Sequence, residues 1–231
     1  MLIIGHRGAA GLAPENTLEA LAAGIKSGAD ILEFDIRLTK DGVPVLVHDF
    51  HTLRTERRAS IIGRSTLAQL RQRTKNSPIV TLEEALDVYF GVVMLNIEFK
   101  SFRVTRVAME LIKSKYIKKP SDWDKLLLSS FQGRALKVAR RIAPEANLAI
   151  LQGQNPFIFV AYARSLDLVA VGFHRLYVNP LALEIAKKAG LFTYAYTVDR
   201  PRAAYLLSQQ GVDAVVTDHP DRIIEQLKRY N

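Results

Sequence analysis

The sequence predicts a (β/α)8 TIM barrel, and three observations support that fold class. Short apolar runs of strand length recur along the 231 residues, and segments with helical periodicity follow them. Gly28, Gly190 and Gly211 stand just after such segments, where a left-handed residue commonly ends a helix. A barrel of this type also forms one domain at this length. We therefore expect a single domain over residues 1–231, with a doubly wound open sheet as the alternative, although no Gly-x-Gly-x-x-Gly fingerprint favours that sheet.

The expected strands are short apolar runs bounded by polar or turn residues. They are Leu2–Ile4, Ile31–Leu38, Val92–Phe99, Leu126–Ser130, Leu148–Leu151, Leu168–Gly172, Phe192–Thr197 and Ala214–Thr217. The expected helices are Thr17–Lys26, Thr81–Tyr89, Val104–Ser114, Arg134–Ile142, Phe157–Arg164, Pro180–Lys188, Arg202–Gln209 and Asp221–Lys228. Asn16 or Thr17 can cap the first of these helices.

Composition restricts the classes of protein and of site. The chain is 48% hydrophobic and 24% charged, which is typical of a globular domain, and it has no cysteine. Any metal must therefore have oxygen or imidazole ligands. No apolar run approaches the roughly 20 residues of a membrane span, and no signal peptide is recognisable, so a cytoplasmic location is expected.

The net charge of +9 favours contact with anions. Lysine and arginine are scattered along the chain and no nucleic-acid-binding motif appears, so no nucleic-acid partner is expected. A solvated basic surface is the simplest interpretation, and attraction of a phosphorylated small molecule is the next. The sequence does not indicate an oligomeric state.

One segment interrupts the alternation of strands and helices. After the second strand, Asp41-Gly42 predicts a two-residue hairpin turn and Pro44–Val47 a returning strand. With that turn, Asp35 faces His48 across the hairpin. Residues 51–80 are polar and rich in arginine, and we expect them to form a small insertion that caps one side of the barrel mouth.

The stretch Gly5-His6-Arg7-Gly8 is the first candidate for a functional site. It follows the first strand and precedes a helix start at Pro14–Thr17. His6 and Arg7 therefore lie at the carboxyl end of a strand, where barrels place binding and catalytic residues. For this stretch alone, a buried structural histidine beside a surface arginine remains the alternative.

Carboxylates cluster on two predicted strands. Glu33 and Asp35 are two residues apart, and Glu98 and Lys100 repeat the spacing on the next parallel strand. Because strand side chains alternate, each pair shares one face, and the apolar neighbours face the helices. Inward carboxylates need cations, since an unpaired ion is poorly solvated inside a protein. Arg7 and Lys100 supply positive charge, and Mg²⁺ or Ca²⁺ suits oxygen ligands. A purely structural salt-bridge network is the alternative.

Two histidines flank these carboxylates. His6 and His48 come from different strands, and such a pair suits phosphodiester cleavage, because one imidazole takes a proton from the attacking oxygen and the other protonates the leaving oxygen. Arg7 and Lys100 can neutralise the phosphate. His174, at the end of the sixth predicted strand, is a weaker candidate for the lining of the mouth.

Taken together, the motifs resemble those of the glycerophosphodiester phosphodiesterase family. In chain order they are Gly5-His6-Arg7-Gly8, Pro14-Glu15-Asn16-Thr17, Glu33-Phe34-Asp35, Asp41-Gly42-Val43-Pro44-Val45, His48-Asp49, Glu98-Phe99-Lys100, Ser130-Phe131, Thr197-Val198-Asp199 and Thr217-Asp218-His219-Pro220. Each motif is short, but the ordered set covers essentially the whole chain.

The resemblance implies a TIM barrel of the phospholipase C-like phosphodiesterase type. Its substrates would be small-molecule glycerophosphodiesters such as glycerophosphocholine or glycerophosphoethanolamine, hydrolysed to sn-glycerol 3-phosphate and an alcohol. It also implies one divalent cation, with Glu33, Asp35 and Glu98 as the ligands. Glu15 corresponds to a carboxylate that the family places near the metal, and is a weaker candidate.

The resemblance assigns the remaining roles as well. His6 and His48 would be the acid–base pair, and Arg7 and Lys100 would hold the phosphate. Tyr196 stands where many family members have tryptophan. Its ring can still present an apolar face to a glycerol backbone, and its hydroxyl can add a hydrogen bond.

Two other functions compete with this one. A non-catalytic phosphate-binding barrel would need Arg7 and Lys100 but not two histidines. A lysophospholipase D-like enzyme acting on lysophospholipids would need an exposed apolar rim on the insertion, where Phe50, Leu53 and Ile61-Ile62 are separated by charges.

Overall fold

The computed structural model describes residues 1–56, 59–74 and 77–229. Within these residues the strands are β1 (Leu2–Gly5), β2 (Ile31–Leu38), β3 (Pro44–Leu46), β4 (Met94–Phe99), β5 (Leu126–Ser130), β6 (Leu148–Gln152), β7 (Ala170–His174), β8 (Phe192–Tyr196) and β9 (Ala214–Thr217). The α-helices are α1 (Leu18–Lys26), α2 (Leu67–Arg73), α3 (Leu82–Tyr89), α4 (Phe102–Leu111), α5 (Gly133–Ile142), α6 (Ile158–Ala163), α7 (Pro180–Lys188), α8 (Pro201–Gln209) and α9 (Pro220–Leu227).

In the described part of the chain, eight parallel strands close into a barrel. Their order is β1-β2-β4-β5-β6-β7-β8-β9, and β9 returns to pair with β1. The helices alternate with these strands along the chain, so the predicted TIM barrel is confirmed and the open sheet is not formed. In the same described residues, no helix has the length and apolar character needed to cross a membrane.

Helix bounds follow from local capping. The Thr17 hydroxyl accepts a hydrogen bond from the Ala20 N–H at 3.1 Å, so Thr17 is the residue that caps α1. Helix α4 starts at Phe102, earlier than the expected Val104, because Ser101 is its cap. The end of this helix continues into a π-helical turn, Ile112–Tyr116.

The alternation of side chains along each strand divides the apolar residues into two cores. Outward residues such as Leu32 and Phe34 pack between the barrel and the helices. Inward residues such as Ile4 and Ile31 fill the barrel interior. Farther along β2 and β4 the inward positions become polar, which places hydrophilic side chains at the carboxyl ends of the strands.

The register of the β2–β3 hairpin differs from the expected one by a residue. Ile36 pairs with Leu46, and the Val47 N–H donates to the Asp35 carbonyl at 3.0 Å. Asp35 therefore faces Val47, and the expected pairing of Asp35 with His48 is wrong.

The loop length explains this shift. The Thr39 N–H donates to the Val43 carbonyl at 3.0 Å, so the hairpin loop has three residues, 40–42, rather than two. Gly42 has φ 81°, the left-handed conformation that commonly closes a three-residue loop. His48 consequently belongs to the segment that follows β3.

Residues between β3 and α3 form a small layer beside the barrel. A 3-10 turn at Ile62–Arg64 and helix α2 share one small apolar cluster with β3 and the segment before α3. Its buried members are Val45, Ile62, Leu70 and Ile79. Helix α2 begins with a capping box between Thr66 and Gln69.

Candidate active site

The turn after β1 is shaped by its two glycines. A Cβ atom on Gly5 would lie 2.1 Å from the Gly8 carbonyl oxygen, and one on Gly8 would lie 2.4 Å from the Ala20 backbone. Gly8 has φ 88°, and Arg7 itself adopts a left-handed φ of 50°, which is uncommon for a residue with a side chain. The glycines thus allow the tight turn that carries His6 and Arg7 at the barrel mouth.

Three carboxylates meet inside the mouth. Glu33, Asp35 and Glu98 each offer an oxygen, and these oxygens lie within 4.8 Å of one another. Asp35 and Glu98 are register partners on the neighbouring strands β2 and β4, which explains their proximity. Asp35 is 1% exposed and Glu33 5%, so water solvates this carboxylate triad poorly.

Two cationic side chains contact the triad. The Lys100 ammonium lies 2.7 Å from Asp35 Oδ1 and also contacts Glu98. The Arg7 guanidinium Nε lies 3.3 Å from Asp35 Oδ2, and the Arg7 backbone N–H donates to Glu33 Oε2 at 2.8 Å. Both cations that the sequence assigns to phosphate are therefore beside the carboxylates.

Asn16 fixes the position of Asp35. Its side-chain Nδ2 donates to Asp35 Oδ2 at 3.0 Å, and its Oδ1 accepts from the Asp35 backbone N–H at 3.0 Å. Asn16 is itself buried and has a left-handed φ of 58°. These reciprocal bonds explain why the turn before α1 contains asparagine at this position.

The three carboxyl groups of the triad differ in pKa. Burial and the nearby Asp35 charge raise the pKa of Glu33 to about 7 and the pKa of Glu98 to about 8. For Asp35, burial acts upward, but the charges of Lys100 and Arg7 outweigh it and lower the pKa. Two of the three carboxylates thus lack enough positive charge to remain fully ionised at neutral pH.

This donor set fits a hard divalent cation. All three donors are carboxylate oxygens, which suit Mg²⁺ or Ca²⁺, and histidine is absent from the cluster. The raised pKa values show that the site accommodates more positive charge than Lys100 and Arg7 provide.

His6 has an aspartate partner from the other end of the chain. Its Nδ1 lies 2.6 Å from Asp218 Oδ1. Burial acts to lower the pKa of His6, but the Asp218 hydrogen bond and the Glu33 charge outweigh it and raise the pKa. The pKa of Asp218 is lowered, since the hydrogen bond and charge of His6 outweigh burial there, so Asp218 accepts the bond as a carboxylate and leaves Nε2 of His6 for chemistry.

His48 has an aspartate partner from its own loop. Its Nδ1 lies 2.8 Å from Asp49 Oδ1. The pKa of His48 is lowered. Burial and the charges of Lys100 and Arg7 lower it, and together they outweigh Asp35 and Asp49, which raise it. The two histidines thus have pKa values shifted in opposite directions, His6 upward and His48 downward.

Glu15 connects the two halves of the site. Its carboxylate accepts from Arg7 at 2.8 Å and from Arg54 at 2.5 and 2.6 Å. Arg54 also donates to Asp49 at 2.7 Å. Glu15 therefore lies between two guanidiniums, outside the carboxylate triad, and orients both Arg7 and the Asp49 that contacts His48.

A pocket opens beside His6 and the triad. Its inner wall includes Asn96 and Ser129, and its rim includes Phe131 and Tyr196. Asn96 Oδ1 and Ser129 Oγ are buried without a hydrogen-bond partner among the described residues. Buried polar atoms are normally paired, so these two atoms indicate a place where a polar ligand can bind.

Tyr196 lines this pocket, and His174 packs against Tyr196 without lining the pocket itself. Their rings are 5.9 Å apart, and the Tyr196 ring also meets Phe131 edge-on at 5.8 Å. The Tyr196 hydroxyl donates to the Gln152 carbonyl at 2.5 Å. The ring is thereby held with its face available beside the pocket, whereas His174 lies one ring farther from the carboxylates.

The fold thus brings the main sequence-predicted residues to one mouth, but several polar partners were missed. These are Asn16, Asp49, Arg54, Asn96, Ser129 and Asp218. Asp49 and Asp218 stand in the quoted motifs beside His48 and His219, which was a usable signal. Asn96 offered a weaker one, because it precedes Glu98 by two residues and shares its face.

The fold and site define a class of enzyme: a TIM barrel with an acidic, histidine-flanked centre at the carboxyl ends of its strands. Residues 6–222 match the glycerophosphoryl diester phosphodiesterase family. YhdW from Bacillus subtilis (strain 168) is 31% identical over 248 residues, which cover 100% of both chains. The glycerophosphodiester phosphodiesterase of Caldanaerobacter subterraneus subsp. tengcongensis is 29% identical and covers 99% of this chain and 98% of its own length.

A solved structure agrees with these relatives. The phosphodiesterase of Oleispira antarctica, solved in complex with the product sn-glycerol-3-phosphate, superimposes with a TM-score of 0.89 at 29% identity. The alignment covers 99% of this chain and 97% of that one. The chain belongs to the glycerophosphoryl diester phosphodiesterase family and is a phosphodiester hydrolase.

Proposed function

We propose that this enzyme hydrolyses glycerophosphodiesters to sn-glycerol 3-phosphate and an alcohol, with His6 and His48 as its acid–base pair and a divalent cation in the carboxylate triad. The observation that carries the proposal is the pair of histidine–aspartate contacts flanking the triad. Family membership supports the substrate class, and the product bound to the Oleispira antarctica relative supports the product.

The triad of Glu33, Asp35 and Glu98 would hold the cation, which supplies electrostatic stabilisation of the phosphate charge. Arg7 and Lys100 add positive charge on the same side of the mouth. Because both also contact Asp35, they are fixed in place before substrate arrives. Such preorganisation stabilises charge that develops in the transition state without further rearrangement.

The opposite pKa shifts support one order of the first proton transfers. His6, whose pKa is raised, is the more readily protonated ring, so in this proposal its Nε2 protonates the leaving alcohol oxygen. His48, with the lowered pKa, accepts the proton of the attacking hydroxyl. Asp218 and Asp49 hold the two rings through Nδ1 and so leave Nε2 of each ring to act.

The nucleophile in this proposal is the neighbouring hydroxyl of the substrate's own glycerol, as the family resemblance suggests. Its oxygen bonds to phosphorus, the bond to the alcohol oxygen breaks, and a cyclic glycerophosphate forms. Water then attacks this cyclic ester, His6 takes the proton of that water, and His48 returns its proton to the glycerol oxygen. Internal attack has a large proximity advantage. The polar wall at Asn96 and Ser129 supports binding of glycerol hydroxyls in the pocket.

A phosphate-binding barrel without catalysis is the competing function. Such a barrel does not require the two histidine–aspartate contacts, which hold the rings through Nδ1. The lysophospholipase D-like alternative called for an apolar rim on residues 51–80. Of the residues named for that rim, Phe50, Leu53 and Ile61 are exposed. Ile62 is buried in the small layer beside the barrel.

The deciding experiment is hydrolysis of glycerophosphocholine, with released sn-glycerol 3-phosphate measured in excess chelator and after add-back of Mg²⁺ or Ca²⁺. We expect activity to disappear with chelator and return with metal. Glu98→Gln should lower kcat/KM by about 10²–10³-fold. Glu184→Gln is the matched control, because among the described residues Glu184 forms its ion pair with Lys188 on the surface of α7. Full activity in chelator from metal-free protein contradicts the metal, and phosphate binding without turnover supports the competing function.

A further inference from the structure

One side of the barrel mouth is apolar. Strands β5, β6 and β7 are neighbours in the barrel, so the loops at their carboxyl ends adjoin. Leu176 in the last of these loops is 72% exposed, and Phe131 in the first is 49% exposed. The exposed apolar residues of these loops and of the helix starts that follow form what we term the mouth patch: Phe131, Phe157, Ile158, Leu176, Tyr177 and Leu181. Contiguous exposed apolar surface commonly marks an interaction site.

Ring contacts join the mouth patch to the pocket. Phe131 lines the pocket and meets the Tyr196 ring at 5.8 Å. Tyr177 meets the His174 ring at 5.4 Å, and His174 in turn meets Tyr196 at 5.9 Å. Whatever covers the mouth patch therefore also borders the entrance through which substrate passes.

The loops that carry the mouth patch contain basic but no acidic side chains. Loop residues 131–133, 153–157 and 175–179 contain Arg175 and no aspartate or glutamate, and Arg134 follows in α5. Arg175 donates to the Thr197 carbonyl at 2.8 Å, and Arg134 stacks on the Phe102 ring at 4.0 Å. Neither guanidinium is paired with a carboxylate in the described residues. Asp199, which follows β8, lines a neighbouring cleft together with Arg175 and Leu176 and accepts hydrogen bonds from the Thr217 hydroxyl and the Asp218 N–H. The other carboxylates of the mouth follow β1, β3 and β9, away from the mouth patch: Glu15, Asp49 and Asp218.

We propose that the mouth patch docks the enzyme onto the surface of anionic lipid bilayers. The mouth patch combines exposed phenylalanine and leucine with arginines that form no described ion pair with a carboxylate. This combination suits the interface of such a bilayer, where apolar side chains enter and basic residues meet lipid headgroups. The net charge of +9 favours the same approach. This inference goes beyond the hydrolysis proposed above and does not depend on it.

Other occupants fit less well. In a symmetric dimer the same patch faces itself, so Arg134 and Arg175 would meet their own copies without a carboxylate to neutralise them. A rigid protein partner would close the pocket that Phe131 borders. A fluid lipid surface carries complementary charge and leaves room for a small substrate to enter.

The test is binding of the full chain to phosphatidylcholine vesicles with and without phosphatidylglycerol, measured by sedimentation at low and high salt. We expect binding to the phosphatidylglycerol vesicles that weakens with salt. The double variant Phe157→Ser/Leu176→Ser should bind at least about tenfold more weakly, because it removes two large apolar side chains from the interface. Arg175→Gln should bind about fivefold more weakly. Val92→Ser is the control, since Val92 is 65% exposed and precedes β4 at the other end of the barrel.

The outcomes separate the possibilities. Absence of binding to phosphatidylglycerol vesicles overturns the proposal, and so does binding that the double variant retains in full, because that binding reflects net charge alone. A dimer that the double variant abolishes, without vesicle binding, also overturns it. Hydrolysis of soluble glycerophosphocholine should be unchanged in the double variant. If the unsubstituted protein binds vesicles but does not hydrolyse glycerophosphocholine, only the function proposed above is contradicted.

Discussion

Asp218 and His6 are 212 positions apart in the chain, yet their side chains meet at 2.6 Å. Pairing of the first and last strands of the barrel makes this contact possible. Asp218 is held in turn, since its backbone N–H donates to Asp199 and its carbonyl accepts from Gly11. The contact therefore sets both the ring position and the tautomer of His6.

We predict that Asp218→Asn lowers kcat by about 10–100-fold, the range typical of a lost orienting partner. It should also move the basic limb of the pH profile to lower pH. Asp218 raises the pKa of His6, so its removal lowers that pKa, and the protonated acid form is then lost at a lower pH. The measurement is kcat/KM against pH for glycerophosphocholine. Asp221→Asn, in the first turn of α9, is the control. A normal kcat with an unmoved basic limb would show that Asp218 does not act through His6.

We predict that His48→Ala lowers kcat by about 10²–10⁴-fold, the scale of a positioned base. The double variant with His6→Ala should lose less than the product of the two single losses, because the histidines act as a unit. Steady-state kinetics at saturating metal measure both effects. His51→Ala is the control on the same loop. Near-normal turnover of the His48→Ala enzyme would remove this residue from the mechanism.

We predict that chelator-treated protein becomes less stable as the pH rises from about 5 to about 8. The pKa values of Glu33 and Glu98 are raised from 4.5 to about 7 and about 8, so the folded state keeps protons that the unfolded state has released. Stabilisation by these protons is complete below pH 4.5. It is lost as the pH rises through the pKa values that Glu33 and Glu98 have in the folded state. The loss is on the order of a few kcal/mol, since one pKa unit equals about 1.4 kcal/mol.

Thermal unfolding across this pH range measures that loss. A saturating divalent cation should flatten the curve, because it favours the ionised carboxylates. Glu98→Gln should flatten it partly without metal. A melting temperature of the chelated protein that is constant or rises over the range would contradict the raised pKa values.

We predict opposite effects of Ser129→Ala on binding and on folding. Its hydroxyl is buried and unpartnered in the described structure, so removing it should leave the melting temperature unchanged or slightly higher. If the hydroxyl binds substrate, KM should rise by about tenfold, the value of one hydrogen bond. Asn96→Ala should also raise KM, because the Asn96 Oδ1 is likewise buried and unpartnered in the described structure. Ser165→Ala, at an exposed position, is the control. An unchanged KM in both pocket variants would exclude these two residues from substrate binding.

We predict that the 2-deoxy analogue of glycerophosphocholine is a very poor substrate. Its phosphate still meets Arg7, Lys100 and the metal, but the internal nucleophile is missing. The comparison is kcat/KM for substrate and analogue at saturating metal. Glycerophosphoethanolamine should be cleaved at a rate similar to that of glycerophosphocholine. Equal kcat/KM for the analogue would favour direct attack by water.

Local patterns were sufficient to predict the barrel and the inward carboxylates. The period of two along β2 places Ile31, Glu33 and Asp35 on the interior face, and the structure has them there. The hairpin register could not be predicted in the same way. Asp41-Gly42 is compatible with a two-residue or a three-residue loop, and only the Thr39–Val43 contact distinguishes them.

Contacts between distant segments account for most of the missed site residues. Asn16 clamps Asp35 from 19 positions away, and Arg54 reaches Glu15 from 39 positions away. No local periodicity encodes such pairs, because each side chain is placed by a different loop. Ser129 was missed for another reason: its position opposite Glu98, across β5 and β4, becomes visible only once the strands are paired.

The pairing of β1 with β9 also orders events during synthesis. His6 leaves the ribosome 212 residues before Asp218, so the histidine lacks its Asp218 partner until β9 has been made. A chain interrupted before β9 can contain the whole carboxylate triad, but it cannot orient His6. The His6–Asp218 contact therefore forms in one step, when β9 pairs with β1 and closes the sheet.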